Sequence, residues 1–168
     1  MSNAQYLASL VNSSGNIVVP VSNGGVVFNP STTGTGTVSS NTMSDYETGT
    51  WTPVLTSTSG TVTSTSNASG TYTKIGREVF LWGTITLTNP GTASGNGRVS
   101  GLPFAAYNNG LSVASDFNVR EDGLTGNVYQ GILGGNNSIF SMQTLTGGNI
   151  TWTTNYVFTW AFIYQASF

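Results

Sequence analysis

From Trp152 onward every second residue repeats one kind of side chain: Trp152, Thr154, Tyr156, Phe158, Trp160, Phe162 and Tyr164. Strict alternation has the period of a β-strand, whose successive side chains point to opposite faces. Six of these seven positions are aromatic. The intervening positions begin polar (Thr151, Thr153, Asn155) and turn apolar (Val157, Ala161, Ile163). That pattern predicts a strand buried on one face in its first half and on both faces in its second. Shorter runs of the same period precede it. Val79–Leu87 is β-rich and runs into the turn Asn89-Pro90-Gly91, and YTKIGREVFLWG reads as two strands joined near Gly76-Arg77. LSVASDFNV, NVYQGILG and SIFSMQTL are further short runs. They are set apart by turn signals at Glu121-Asp122-Gly123, Gly134-Gly135-Asn136-Asn137 and Gly147-Gly148-Asn149. TSTSGTVTSTSNASG fits either a polar strand or a long loop. SGNGRVSGLPFAAY reads as turn residues around an apolar knot, Leu102-Pro103-Phe104, whose expected role is to plug the core. Strands spaced about ten residues apart, with no helix-period segment, predict an all-β fold, a small antiparallel β-sandwich or barrel.

Residues 1–44 follow a different pattern. They hold no charged side chain and place two apolar beads, NIVVPV and GGVVFNP, in a string of Gly, Ser, Thr and Asn. Pro20 and Pro30 oppose both a helix and a central strand. Such a segment buries too little apolar surface to offset an ordering cost of roughly 1–2 kcal/mol per residue. The expectation is therefore an extended N-terminal arm (1–44) that orders on a partner, ahead of a head domain (45–168); the alternative is a frayed terminus. The arm's docking residues would be Ile17, Val18, Val19, Val26, Val27 and Phe28.

Composition narrows the function. Charged residues make up 6% of the 168 residues, against about 25% in ordinary domains. Four basic residues and a net charge of −2 supply no cluster for phosphate or anionic lipid, so neither nucleic acid nor membrane is expected as a partner. The segment MSNAQYLASL lacks the basic region of an export signal. Without His or Cys the chain has no imidazole base, thiol nucleophile or thiolate zinc site. The acidic pairs Asp45/Glu47 and Glu121/Asp122 are the candidates for a calcium site, and neither has the spacing of a known loop. No phosphate-cradling motif is present. The expectation is a non-enzymatic protein with no cofactor and no metal.

Three motifs carry a resemblance. DYETGTWTP (45–53), GTYTKIGREVFLWGTITL (70–87) and RVSGLPFAA (98–106) stand in the order found in a module of bacteriophage virion proteins. The chain resembles that module over residues 45–168. Tail fibres and small capsid-decorating proteins contain it. What the resemblance implies is an all-β, trimeric, structural or adhesive virion domain without enzymatic activity.

Charge is concentrated around these motifs. Asp45, Glu47, Lys74, Arg77 and Glu78 are expected to pair with one another and fix strand or subunit register, with little net stabilisation. Trp51, beside Pro53, is expected to cap one end of the core. Trp51, Trp152, Tyr156, Phe158, Trp160, Phe162 and Tyr164 are expected to form the core or a trimer interface. The competing reading is a row of rings exposed to sugars, although large continuous apolar patches are uncommon on monomers. Tyr107 and Tyr129 are further candidate glycan contacts. The leading expectation is a homotrimeric capsid-decorating (cement) or short head-fibre protein on the virion surface, anchored by its arm to the major capsid protein or another virion protein. The alternatives are a tail-fibre tip that recognises a host surface glycan or protein, and a free carbohydrate-binding module.

Overall fold

The computed structural model of this chain describes residues 26–27, 42–43, 45–108, 110 and 113–167, the two short segments as backbone only. The chain divides into two compact units, Met1–Tyr46 and Glu47–Phe168. In the first, strand β1 (Val26–Val27) pairs antiparallel with β2 (Thr42–Met43).

The remaining strands are β3 (Tyr46–Trp51), β4 (Val54–Ser59), β5 (Ser64–Ile75), β6 (Glu78–Asn89), β7 (Ser94–Ser100), β8 (Ser115–Glu121), β9 (Val128–Leu133), β10 (Ile139–Gln143) and β11 (Tyr156–Gln165). They form one nine-stranded antiparallel sheet in the order β3-β5-β6-β11-β8-β9-β10-β7-β4. The described residues contain no helix.

The sheet curls into a half-barrel, and its connectivity requires this. β3 and β4 are the two edges, yet only Thr52 and Pro53 separate them in sequence. Three Cα steps of about 3.8 Å hold Trp51 and Val54 within about 11 Å. A flat sheet would put strands eight spacings of about 4.8 Å apart, near 38 Å. One edge therefore ends and the other begins at the same corner, and the concave side becomes the core.

Alternation fills that core. β6 turns Val79, Leu81, Ile85 and Leu87 inward, β10 Phe140 and Met142, and β11 all of Tyr156, Phe158, Trp160, Phe162 and Tyr164. Phe140 lies at the hub, with its ring centroid 5.0 Å from Phe117, 5.3 Å from Trp160 and 5.6 Å from Phe162. The hairpin at Gly76-Arg77 forms as expected, with Gly76 at a φ of +59°, a conformation that costs glycine nothing.

Three expectations need correction. SGNGRVS is not turn but strand β7, paired with β4 and β10. Its inward Gly97 lies under Met142 and Ile150, and a Cβ there would come 2.9 Å from Ile150, so the missing side chain makes room rather than a bend. The final strand starts at Tyr156, not Trp152. Asn155, at a φ of +71°, turns the chain into it, and the half-buried Trp152 donates from Nε1 to the Gly95 carbonyl at 3.0 Å. The second half of β11 is not covered on both faces by the described residues. Ala161 and Ile163 are exposed, and Ile163 retains 51% of its surface.

Candidate functional site

The three motifs meet as one packing unit. Across β3, β5, β6 and β11, Trp51 and Trp160 bracket two glycines, Gly70 and Gly83, which pair with each other; Trp160 pairs with Gly83. The Trp51 indole lies over Gly70, where any Cβ would overlap it, and a Cβ on Gly83 would come 2.7 Å from the Trp160 ring. The two indole centroids are 6.1 Å apart. Tyr72 meets Phe104 edge-on at 5.3 Å, and the Lys74 ammonium stands 5.3 Å from the same ring. Tyr164 Oη donates to the Phe104 carbonyl at 3.0 Å. Leu102 is buried and Phe104 half-buried beside it. The inward-facing motif residues therefore pack on one another.

The charged residues near the motifs each make contacts of their own. Burial first, then the Glu47 carboxylate beside it, raises the Tyr72 pKa. Lys74 is buried. Arg77 donates from Nε to the Ala166 carbonyl at 3.2 Å and lays its guanidinium 3.6 Å from the Tyr107 ring centre. Glu78 accepts from Gln165 Nε2 at 2.7 Å. Asp45 also has an interaction partner. Outside this group, Arg120 and Asp122 form an exposed ion pair.

Glu121 is the most enclosed ionisable group, fully buried at the end of β8. Its carboxylate accepts main-chain N–H bonds from Gly123 (2.6 Å), Leu124 (2.9 Å), Thr125 (2.6 Å) and Val157 (3.3 Å), and the Thr125 hydroxyl at 2.7 Å. Burial alone would raise its pKa. The hydrogen bonds from Thr125, Leu124 and Val157 outweigh burial and bring it to about 2. The oxygens are occupied by donors, so this carboxylate staples the β8–β9 turn to β11. Among the described residues no group of three or more acids gathers as a metal site.

Tyr156, Phe158, Trp160, Phe162, Tyr164 and Trp51 all lie in the core of the chain itself, and Trp152 packs against it. Tyr129 is also buried, so it presents no ring to a glycan. Tyr107 keeps 39% exposure, with Arg77 against it. Val26 and Val27 lie in β1, while Ile17, Val18, Val19 and Phe28 fall outside the described residues.

The convex face holds what sequence reasoning missed. Trp82, mid-strand in β6, exposes 48% of its surface. Its neighbour across β11 is Ala161, and Phe80 faces Ile163. Trp82 separates two hollows. One, of about 570 Å3, is lined by Thr50, Ser69, Thr71 and Thr84 together with Trp51, Gly70, Gly83 and Trp160; the other, of about 440 Å3, by Phe80, Asp116, Ala161 and Ile163. The signal was legible: Trp82 sits at an even position of a strand whose odd positions are the aliphatic core. Farther round, Val54 and Ile139 flank Ser100 across β4, β7 and β10, and both are exposed.

The chain is thus an all-β protein built on one nine-stranded, curled antiparallel sheet. Comparison with known proteins returns no matching family model, no matching curated protein and no matching solved structure.

Proposed function

We propose that this chain is a structural protein of a bacteriophage particle: a homotrimer displayed on the virion surface, decorating the capsid or forming a short head fibre. The observation that carries the reading is the convergence of Trp51, Gly70, Tyr72, Lys74 and Phe104 into one internal unit. Those residues belong to the three motifs that resemble the virion module, and their geometry gives them a scaffolding task. The charge-poor surface with exposed Val54 and Ile139 favours a chain that lies against copies of itself or a shell. The uncharged first 44 residues supply the anchor in this reading. The work done is adhesion, multiplied over three linked copies.

Purified particles probed with an antibody against residues 47–168 test the assignment. Labelling of the capsid at regular positions supports it. Particles lacking the protein overturn it, and label confined to the tail replaces the decorating role with that of a fibre. Deleting residues 1–44 should leave a folded trimer that no longer joins the shell.

A further inference from the structure

We infer that the convex face around Trp82 is a binding site for a neutral saccharide chain, with Trp82 as the stacking surface and Asp116 as the orienting acceptor. Trp82 stands half exposed at the centre of a strand, and with Phe80, Ala161 and Ile163 it forms one contiguous apolar patch, the kind of surface that marks a binding site. Around it the chemistry is two-sided. Thr50, Ser69, Thr71 and Thr84 offer hydroxyls in one hollow, and Ile163 offers an apolar wall in the other. A pyranose ring has the matching division: a face of polarised C–H groups that packs on the negative face of an indole, and an edge of hydroxyls that both donate and accept. Two hollows joined across one ring suit a ligand longer than a single sugar.

A second observation points the same way. Asp116 lines the second hollow, and a side-chain relay holds it in place. Asn96 Nδ2 donates to Gln143 Oε1 at 3.5 Å, Gln143 Nε2 to Gln130 Oε1 at 3.0 Å, and Gln130 Nε2 to Asp116 Oδ2 at 2.8 Å. These residues stand on β7, β10, β9 and β8, four consecutive strands. Every amide in the relay donates toward Asp116. A carboxylate with about four acceptor sites, one taken by Gln130, keeps capacity for two adjacent sugar hydroxyls. Its negative charge disfavours sialic or uronic acids. It also disfavours a second copy as the occupant. Burial there would need a cation; Lys74 is buried, Arg77 lies on Tyr107 and Arg120 pairs with Asp122, which leaves Arg98 on β7 to supply it. The inference does not rest on the virion assignment, because it is argued from the Trp82 face alone.

The test uses the full-length protein on an array of neutral oligosaccharides (glucose, galactose, mannose and N-acetylglucosamine oligomers) beside sialylated and uronate-containing ones. Calorimetry follows on the neutral chains retained. Retention of a neutral class is expected, with Trp82→Ala weakening it about tenfold or more. Asp116→Asn should weaken it as well, and circular dichroism should show both variants folded. No neutral oligosaccharide retained, binding unaltered in folded Trp82→Ala, or preference for the acidic sugars each overturns the inference. So does an oligomer that falls apart in Trp82→Ala without any saccharide bound, which would give the face to a second copy.

Discussion

The indole N–H of Trp51 donates to the main-chain carbonyl of Trp82 at 3.1 Å, crossing above Gly70 to reach it. One tryptophan thus fixes from inside the strand segment that presents the other outside. The two should respond differently to substitution. Trp51→Ala removes a buried ring and its hydrogen bond, for an expected loss of about 3–5 kcal/mol. Trp82→Ala removes an exposed ring and keeps the carbonyl, so a change within about 1 kcal/mol is expected. Urea unfolding of both variants measures the contrast, and equal losses would show that Trp82 packs as a core residue.

Gly83 supports the same unit from below. Alanine there would place its Cβ 2.7 Å from the Trp160 indole, and that ring is held by Phe140 and Trp51. Overpacking of this kind costs about 1–3 kcal/mol. A Gly83→Ala, Trp160→Phe double variant should recover part of the loss, because the smaller ring frees the space. A double-mutant cycle with no coupling would show that the two residues do not share that space.

How much of this was legible in the sequence depends on which force sets each position. The alternation of β11 followed from its side chains alone, because burial imposes a period of two on any half-covered strand. β7 was missed because its inward Gly97 carries no side chain to register the period. What covers Ile163 was not readable for a related reason. An apolar residue in sequence does not say whether the chain or a partner covers it. The relay ending at Asp116 was out of reach, since it links residues 96, 143, 130 and 116 through a strand order that no local pattern encodes. The Glu121 staple was half visible: the turn Glu121-Asp122-Gly123 could be read, but not the main-chain donors that fold back on the carboxylate.

Glu121 makes stability depend on acid. Its folded pKa is about 2 against an ordinary 4.5, so the folded state favours the ionised form. The stabilisation is fully present above about pH 4.5 and is lost as the pH falls toward 2. A shift of this size corresponds to about 3 kcal/mol. Glu121→Gln should remove most of it at pH 7, since the amide turns an NH2 group toward N–H donors. The variant should also show a shallower loss of stability between pH 5 and pH 2. Denaturant midpoints across that range check both effects, and a parallel acid profile in the two proteins would remove Glu121 from the account.

Tyr164 offers a smaller test of the motif unit. Its hydroxyl donates to the Phe104 carbonyl at 3.0 Å, and burial raises its pKa. Tyr164→Phe keeps the ring and drops the donor, for an expected loss of about 1 kcal/mol. Ionisation followed by ultraviolet absorbance should show this tyrosine titrating last, because a buried phenolate would also forfeit its bond to a carbonyl that only accepts. Its early appearance in the titration would mean that the Phe104 loop opens readily.

Assembly makes the most exposed prediction. Val54 and Ile139 lie on opposite sides of Ser100 across three adjacent strands, exposing 51% and 44% of their surfaces. None of the described residues covers them, and the aromatic core is buried within the described strands themselves. If copies associate, they do so by covering an outer face of this kind. Under the trimer proposed above, sedimentation of the intact protein should give the mass of three 17.5 kDa chains, and Val54→Glu with Ile139→Lys should give one chain without loss of β-structure. Opposite charges are used so that net charge stays fixed and only apolar contact is removed. A trimer that survives both substitutions would move the contact to another face, and an intact protein that sediments as a monomer at every concentration would remove the trimer altogether.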